Sequence, residues 1–307
     1  MSTYLVTGGA GFVGSELIRR LLNSGHRVVA LARDDEPPSR CTVIRGSVED
    51  IDVVRRAVAR YPIDGVFHLA AHAKVEECRR DVLGCFESNV RGTYILLSVL
   101  AQTPTVPVVV ATTDHVYGDH KPGDAPSKES DPFVGGGSAY DISKAAADSI
   151  AMGFGQTQDV RVVRCVNIYG PGDRDMSRVV PSMVDDVTAG RAISIRSDGT
   201  PVREYLYVDD AVDAYVRAMY HGKKGQAYNI GTEVGTSVIE LSQRIFDVTK
   251  VLGYRSVGAS VILGTRTGDI SQIRLDSSKA HRELGWHAAT HLDRGLFKTI
   301  EWWSVRR

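Results

Sequence analysis

Short apolar runs alternate with helical patterns along the first half of the chain. The runs are YLVT (4–7), RVVAL (27–31), TVI (42–44), GVFHLA (65–70) and VPVVVA (106–111). Polar residues do not interrupt them regularly, which is typical of parallel strands covered on both faces. Helical spacing lies near 12–24 and 50–60 and in a longer segment that ends in YILLSVL (94–100). Strands that alternate with helices predict an α/β fold with a Rossmann-type doubly wound parallel sheet.

The pattern changes after the apolar strand RVVRCVNIYG (161–170), because the elements that follow are shorter. We therefore expect a dinucleotide-binding domain over residues 1–170. Residues 171–307 are expected to form mainly a smaller C-terminal substrate-binding lobe, with some segments returning to the first domain. Between these parts, the loop 118–137 carries three prolines and a glycine triplet. A loop of this length predicts an irregular, mobile flap over a site.

Composition narrows the class of protein. The 307 residues contain 37 basic and 37 acidic side chains, so no net charge favours nucleic acid or an anionic membrane surface. No apolar run approaches the roughly 20 residues that span a bilayer, and the first residues resemble a strand rather than a secretion signal. The four cysteines have no metal-ligand spacing, and no metal site is predicted. We expect a cytoplasmic enzyme.

The first strand is followed by TGGAGFVG, in which Gly8, Gly11 and Gly14 precede a helical pattern. Glycines allow the backbone to approach a pyrophosphate, and a helix N-terminus supplies free N–H groups and a positive dipole end. This glycine pattern, placed between a strand and a helix, predicts a dinucleotide site. The second strand ends at Ala32, where an acidic residue would hold the adenosine ribose. Arg33 follows it and favours the 2′-phosphate of NADP.

NAD remains an alternative at this position, because Asp34 or Asp35 could reach a ribose 2′-hydroxyl.

Tyr140 and Lys144 are candidate catalytic residues. They lie four residues apart in YDISK and therefore share one helix face. A free tyrosine has a pKa of about 10 and is a poor base. Lowering this pKa by about three units requires about 4 kcal/mol. One cation about 4 Å from the tyrosine oxygen supplies that much at an effective dielectric of about 20, so Lys144 and the positive nicotinamide are sufficient as a pair.

Together these motifs resemble the extended short-chain dehydrogenase/reductase family, and within it the nucleotide-sugar epimerases and dehydratases. The resemblance covers nearly the whole chain. Its motifs are TGGAGFVG, HLAA (68–71), NVRGT (89–93), TTDHVYG (112–118), YDISK, RCVNIYGPG (164–172), GTPVREYLYVDDA (199–211), RTGD (266–269) and LDSSKAHRELGW (275–286). The resemblance implies a bound NAD or NADP, a nucleotide-diphosphate sugar as substrate, and a homodimer formed through a four-helix contact.

The resemblance also implies roles for individual residues. Tyr140 is the base, and Lys144 lowers its pKa. Thr113 hydrogen-bonds the sugar oxygen beside Tyr140, and Asn89 supports the lysine through water. Substrate contacts are expected at Asn167, Arg203 and Arg266, of which the first two grip the diphosphate. Further cofactor contacts are expected at Phe12, Val13 and Ala70.

The triplet Thr113-Asp114-His115 directs the choice of reaction. Family epimerases oxidise C4 and return the hydride, and they need no further acid or base. Family 4,6-dehydratases also remove the C5 proton and protonate the C6 hydroxyl, typically with Asp and Glu after the threonine. Asp114 occupies the position of the acid, and His115 replaces the usual Glu as a base suited to neutral pH. We therefore expect a 4,6-dehydratase. The alternatives are a 4-epimerase, another sugar conversion, and a non-catalytic nucleotide sensor.

Overall fold

The computed structural model describes residues 1–33, 36–38, 40–121, 123–134, 136–254, 260–264 and 270–305. The strands found there are β1 (Thr3–Thr7), β2 (Arg27–Ala32), β3 (Thr42–Arg45), β4 (Gly65–His68), β5 (Val108–Thr113), β6 (Val160–Cys165), β7 (Asn167–Tyr169), β8 (Ser194–Ile195), β9 (Val202–Arg203), β10 (Tyr205–Tyr207), β11 (Gln226–Ile230), β12 (Thr236–Ser237) and β13 (Val261–Ile262). Seven of them form one parallel sheet in the order β11-β6-β5-β4-β1-β2-β3. The chain progresses outwards in both directions from β1, which confirms the predicted doubly wound fold.

Helices cover both faces of this sheet. They are α1 (Phe12–Asn23), α2 (Ile51–Arg60), α3 (Val75–Arg80), α4 (Val82–Phe86), α5 (Gly92–Leu100), α6 (Ala139–Phe154), α7 (Val179–Thr188), α8 (Val208–His221), α9 (Val238–Val251), α10 (Ser278–Leu284) and α11 (Leu292–Ser304). Helices α1 and α8 pack together on one face, and α2, α5 and α6 pack on the other. The helices predicted near 12–24 and 50–60 are confirmed as α1 and α2.

The two faces of the sheet carry separate hydrophobic cores. Leu5 and Val29 belong to the core under α2 and α5, whereas Val6 and Val28 belong to the core under α1 and α8. Successive strand residues point to opposite faces, and here both faces exclude water. This double burial explains why the apolar runs of the sequence lack an alternating polar residue.

Residues beyond 170 contribute both to the sheet and to a set of smaller elements. Strand β11 pairs in parallel with β6, so the chain returns to the central sheet after leaving it. Shorter ladders join β10 to β7, β12 to β9 and β13 to β8. The division of the chain into two domains at residue 170 stays a prediction.

The loop that follows β5 is held along part of its length. The amides of His120 and Ser127 donate to the carbonyls of Gln272 and Arg274, each at 2.9 Å. The amide of Asp276 donates back to the Ser127 carbonyl at 2.8 Å. The described part of this loop therefore lies against the segment 270–276, and its mobility as a flap stays a prediction.

The glycine turn between β1 and α1 is packed too closely for larger residues. Gly8 has a φ of +68°, and a Cβ there would lie 2.7 Å from the backbone nitrogen of Ala70. A Cβ on Gly14 would lie 2.2 Å from the carbonyl oxygen of Gly8. Gly11 forms the N-cap of α1 without a side-chain cap. The glycines thus let α1 approach the turn and leave its first N–H groups uncapped by a side chain.

A buried ion pair fixes α6 against the sheet. The Arg164 side chain in β6 donates through Nε and Nη2 to the Asp148 carboxylate in α6, each at 2.9 Å. The two side chains are 3% and 0% exposed. Thr112 in β5 adds a third hydrogen bond to this carboxylate at 2.8 Å. A charge-assisted, bidentate contact of this kind sets both the rotation and the height of the helix.

We expect Asp148→Ala to lower the free energy of unfolding by about 3–5 kcal/mol, because it leaves a buried guanidinium without its negatively charged partner. Urea denaturation monitored by circular dichroism measures this loss. The matched control is Asp52→Ala, which removes a carboxylate from an exposed pair with Arg55. It should change the stability by less than about 0.5 kcal/mol. Equal losses in the two variants would contradict this account of the pair.

We also expect Gly14→Ala to lower the melting temperature, because its Cβ would overlap the backbone of Gly8 and force α1 away from the turn. Gly153→Ala is the control, since a Cβ on this exposed residue of α6 would meet no atom of the described residues within 4 Å. That variant should be neutral or slightly stabilising, because alanine favours helix more than glycine does. Thermal unfolding of both variants distinguishes close packing from a general intolerance of substitution.

Candidate active site

A cavity of about 790 Å³ lies at the carboxyl ends of the central strands. In doubly wound sheets this edge, near the reversal of strand order, is where ligands bind. The cavity brings together many of the residues predicted from the sequence: Val13, Thr113, Asp114, His115, Tyr140, Lys144, Asn167 and Arg203. They come from the end of β5 and the turn after it, from helices α1 and α6, and from the short strands β7 and β9.

The end of β5 turns three polar side chains into this cavity. The strand finishes at Thr113, and a 3₁₀ turn over Asp114–Tyr117 follows at once. The Thr113 hydroxyl donates to Oδ1 of Asp114 at 2.9 Å. The other oxygen of Asp114, Oδ2, is buried and has no hydrogen-bond partner among the described residues. A buried carboxylate oxygen without a partner is costly, and a ligand hydroxyl would satisfy it.

His115 is held by a residue that the sequence analysis did not identify. Its Nδ1 lies 2.7 Å from Oδ1 of Asp141, in the first turn of α6. Burial disfavours the charged imidazole, but the hydrogen bond to Asp141 and the nearby Asp114 carboxylate outweigh it and raise the pKa of His115. The available signal was the spacing Ser138-x-x-Asp141, a capping box at the start of α6.

Tyr140 and Lys144 stand one turn apart at the start of α6 and both face the cavity. Burial raises the pKa of Tyr140 above its usual range, although a hydrogen bond with Thr113 and the charge of Arg178 act in the opposite direction. The Lys144 ammonium donates to the carbonyl of Ala111 at 2.7 Å. Burial lowers the pKa of Lys144 to about 8, against the opposing charge of Asp148. The predicted lowering of the tyrosine pKa by this lysine stays a prediction.

Asn89 lies behind the cavity and is 1% exposed. It belongs to a π-helical segment, Glu87–Arg91. Its Nδ2 donates to the Ser143 hydroxyl at 2.9 Å and to the His72 carbonyl at 3.1 Å, while Oδ1 accepts from the His72 amide at 2.7 Å. Asn89 therefore joins the segment after β4 to the residue before Lys144, and its water-mediated support of the lysine stays a prediction.

The predicted substrate contacts have different surroundings. Nδ2 of Asn167 is buried without a hydrogen-bond partner in the described ranges. The Arg203 guanidinium donates to the carbonyls of Val202 and Ile270. Arg266 lies outside the described residues. The roles of these residues in binding a diphosphate stay predictions.

The predicted cofactor contacts cluster around the glycine turn. Val13 lines the cavity, and the ring of Phe12 lies 5.9 Å below the Arg178 guanidinium. The amide of Ala70 donates to the hydroxyl of Thr7 at 3.2 Å, beside Gly8. Arg33 is exposed at the end of β2, and Asp34 and Asp35 lie outside the described residues. The turn, the uncapped start of α1 and the adjoining cavity together suit an extended dinucleotide.

Arg178 is a second cavity residue that the sequence analysis missed. Its guanidinium lies 3.3 Å from the Asp173 carboxylate and 3.6 Å from that of Asp175. No spacing in GPGDRDMSR marked Arg178, because its contacts with Asp173 and Asp175 form only when the turn after β7 folds back.

Among the described residues, no cluster of His, Cys, Asp or Glu has the arrangement of a metal site. The described helices are all too short or too polar to cross a membrane.

The chain resembles proteins of known activity along its whole length. The family model for the NAD dependent epimerase/dehydratase family matches residues 4–231. A UDP-glucose 4-epimerase of Mycolicibacterium smegmatis is 34% identical, with 97% of each chain covered. A dTDP-glucose 4,6-dehydratase of Streptomyces antibioticus is 32% identical, covering 99% of this chain and 92% of the relative.

Solved structures extend the comparison to the fold. DesIV, a dTDP-glucose 4,6-dehydratase from Streptomyces venezuelae solved with NAD and TYD bound, superposes with a TM-score of 0.89. The two chains are 28% identical, and the match covers 99% of this chain and 98% of DesIV. These similarities confirm the resemblance to the extended short-chain dehydrogenases/reductases. The chain belongs to the NAD dependent epimerase/dehydratase family.

Proposed function

We propose that this protein is a nucleotide-diphosphate-hexose 4,6-dehydratase. The observation that carries the proposal is the buried Oδ2 of Asp114, which has no hydrogen-bond partner in the part of the chain that the structure describes and lies in the same cavity as Thr113 and Tyr140. A 4-epimerase needs only the tyrosine and the threonine around C4. A dehydratase also needs an acid and a base beside C5 and C6, and Asp114 and His115 offer both at the adjoining positions. The dehydratases among the relatives support the same reaction.

Each proposed step assigns a proton to a named residue. The glycine turn and the start of α1 would hold a nicotinamide cofactor, which would supply the acceptor for the C4 hydride and its later donor to C6. Tyr140 removes the proton of the C4 hydroxyl, and the Thr113 hydroxyl orients that oxygen. The ketone at C4 makes the C5 proton acidic, and His115 removes it through Nε2. Asp114 gives a proton from Oδ2 to the C6 hydroxyl, which leaves as water. The hydride then returns to C6 and His115 returns its proton to C5, so that the product is a 4-keto-6-deoxy sugar. The proton that Tyr140 has taken balances the one that Asp114 has given.

A 4-epimerase is the second candidate. Its support is the 34% identical UDP-glucose 4-epimerase, which matches this chain over almost its whole length. In that case Asp114 and His115 would bind the sugar rather than move protons. A nucleotide sensor without activity has less support, since the residues predicted for C4 oxidation line one cavity.

The nucleotide half of the substrate is proposed to lie towards Asn167 and Arg203. A guanidinium binds diphosphate oxygens through paired hydrogen bonds. A homodimer and a cytoplasmic location stay predictions. Support for the dimer comes from exposed apolar side chains on α6 and on the two helices that pack against it, namely Ile142 on α6, Leu83 on α4 and Tyr94 on α5.

For the cofactor, we propose that Arg33 favours NADP by contacting its 2′-phosphate. Arg33 is exposed where β2 ends, and its carbonyl accepts a hydrogen bond at 3.3 Å from the side chain of Arg45, which also pairs with Glu36. The relative DesIV was solved with NAD. If this chain binds NADP through Arg33, a substitution there weakens cofactor binding. If it binds NAD, the same substitution has little effect.

Mass spectrometry of a panel of nucleotide hexoses, incubated with the protein and with NAD or NADP, tests the reaction. A product lighter by one water is expected. An isomer of unchanged mass would establish the epimerase instead, and unchanged sugars throughout would favour the sensor.

Asp114→Asn should slow water loss by about 10²–10⁴-fold while C4 oxidation, seen as the absorbance of reduced nicotinamide, continues. Tyr140→Phe should abolish both, and an undiminished rate of water loss in Asp114→Asn would refute the acid.

Arg33→Ala should raise the Kd for NADP about tenfold or more, because it removes a charge-assisted hydrogen bond, and should leave the Kd for NAD nearly unchanged. Isothermal titration calorimetry measures both constants. Arg27→Ala is the control, since Arg27 is an exposed arginine at the opposite end of β2. Equal losses for NAD and NADP would exclude a 2′-phosphate contact.

A further inference from the structure

The contact between His115 and Asp141 joins two residues that stand 26 positions apart in the sequence. Asp141 lies next to the proposed base Tyr140, yet its side chain turns to the imidazole. The side chains of His115 and Asp141 are 19% and 7% exposed, so the pair is largely shielded from solvent. The His115 ring also meets the Tyr140 ring edge-on, with 5.5 Å between the centroids. His115 is thus held on two sides by the first turn of α6.

Both oxygens of Asp141 are occupied. Oδ1 faces His115, while Oδ2 accepts from the Ser138 hydroxyl at 2.6 Å and from the Ser138 amide at 3.2 Å. A Cβ on Gly136 would lie 2.0 Å from Oδ2, so the preceding backbone closes against the carboxylate. Asp141 therefore has little freedom to rotate away from His115.

This arrangement determines which ring nitrogen of His115 can accept a proton from a substrate. Burial opposes ionisation of Asp141, but the hydrogen bonds from His115 and Ser138 outweigh it and hold its pKa below the usual range. An ionised carboxylate only accepts hydrogen bonds, so Nδ1 carries the hydrogen. Neutral His115 consequently has its lone pair on Nε2, and the residue lines the cavity.

The charged groups around His115 favour its protonated form once it has taken a proton. The carboxylates of Asp114 and Asp141 attract an imidazolium, while Arg203 repels it. The balance makes the imidazole a stronger base than it would be without Asp141. The general logic is that of a carboxylate that orients a catalytic histidine and stabilises its cation.

We propose that Asp141 is the positioning residue of His115: it fixes the tautomer, aims Nε2 into the cavity, and stabilises the imidazolium formed when the C5 proton is removed. The proposal rests on the proposed dehydratase function. It also accounts for the replacement of the glutamate that the family resemblance leads one to expect at position 115. A carboxylate there would face that of Asp141, and two like charges at this distance destabilise each other. Asp141 therefore suits a histidine and opposes a glutamate.

The first test does not depend on turnover. The titration of the His115 imidazole is followed by NMR in the protein and in Asp141→Asn, with the signal assigned by its loss in His115→Gln. The pKa of His115 should fall in Asp141→Asn, and the share of the tautomer with hydrogen on Nδ1 should decrease. Ser138→Ala is the control, because it removes the helix cap and leaves Oδ1 of Asp141 on His115. The pKa of His115 should change little in this variant. An unchanged titration in Asp141→Asn would overturn the pairing.

The second test is a reversal between two backgrounds. With His115 present, Asp141→Asn should lower kcat for water loss by about ten- to a hundredfold, with little change in KM. The acid limb of its pH profile should move to lower pH, since a base acts only when deprotonated and its pKa has fallen. In the His115→Glu background, the same Asp141→Asn change should instead raise kcat, because it removes a repelling carboxylate.

A loss of activity in both backgrounds would show that Asp141 serves only the helix cap and would overturn the positioning role. The two proposals fail separately. If no sugar loses water while the NMR titration shifts as expected, the dehydratase assignment is wrong and the His115–Asp141 pair stands. If water is lost and Asp141→Asn alters neither the titration nor the pH profile, the dehydratase stands and the pair has no catalytic part.

Discussion

The bond between Asp148 and Arg164 is the constraint on which the site depends. Asp148 lies on the same helical face as Lys144 and Tyr140, one and two turns further along α6. By binding Arg164 in β6 and Thr112 in β5, it sets the rotation of the helix relative to the sheet. It also contributes negative charge that partly offsets the effect of burial on Lys144. One carboxylate thus connects the packing of the fold with the electrostatics of the cavity.

Local signals made the sheet and the glycine turn predictable. Apolar runs covered on both faces follow directly from a parallel sheet, and the crowding around Gly8 and Gly14 excludes other residues. The pair of His115 and Asp141 could not be predicted in the same way, because an irregular loop brings its members together. Arg178 was missed for a similar reason, since its aspartate partners lie in a turn without periodicity.

The surroundings of Tyr140 differ from what the sequence argument supposed. We expected cationic charge to lower the pKa of this tyrosine and did not include the loss of water around the phenol. In the structure, burial acts most strongly and raises the pKa of Tyr140, while Lys144 directs its ammonium to the Ala111 carbonyl. Residue types at the right spacing therefore define a candidate site, but the free energy of moving a proton depends on how deeply the fold buries each group.

The pairing of β11 with β6 also bears on how the chain is made. A ribosome releases β6 well before residues 226–230, so the nascent sheet would carry an apolar strand with an open edge during that interval. Such an edge invites pairing with other chains until β11 arrives to cover it. A fragment that stopped at the end of the predicted first domain would keep this edge permanently. The length of chain between the two strands is therefore a hazard during synthesis, even though the finished sheet conceals it.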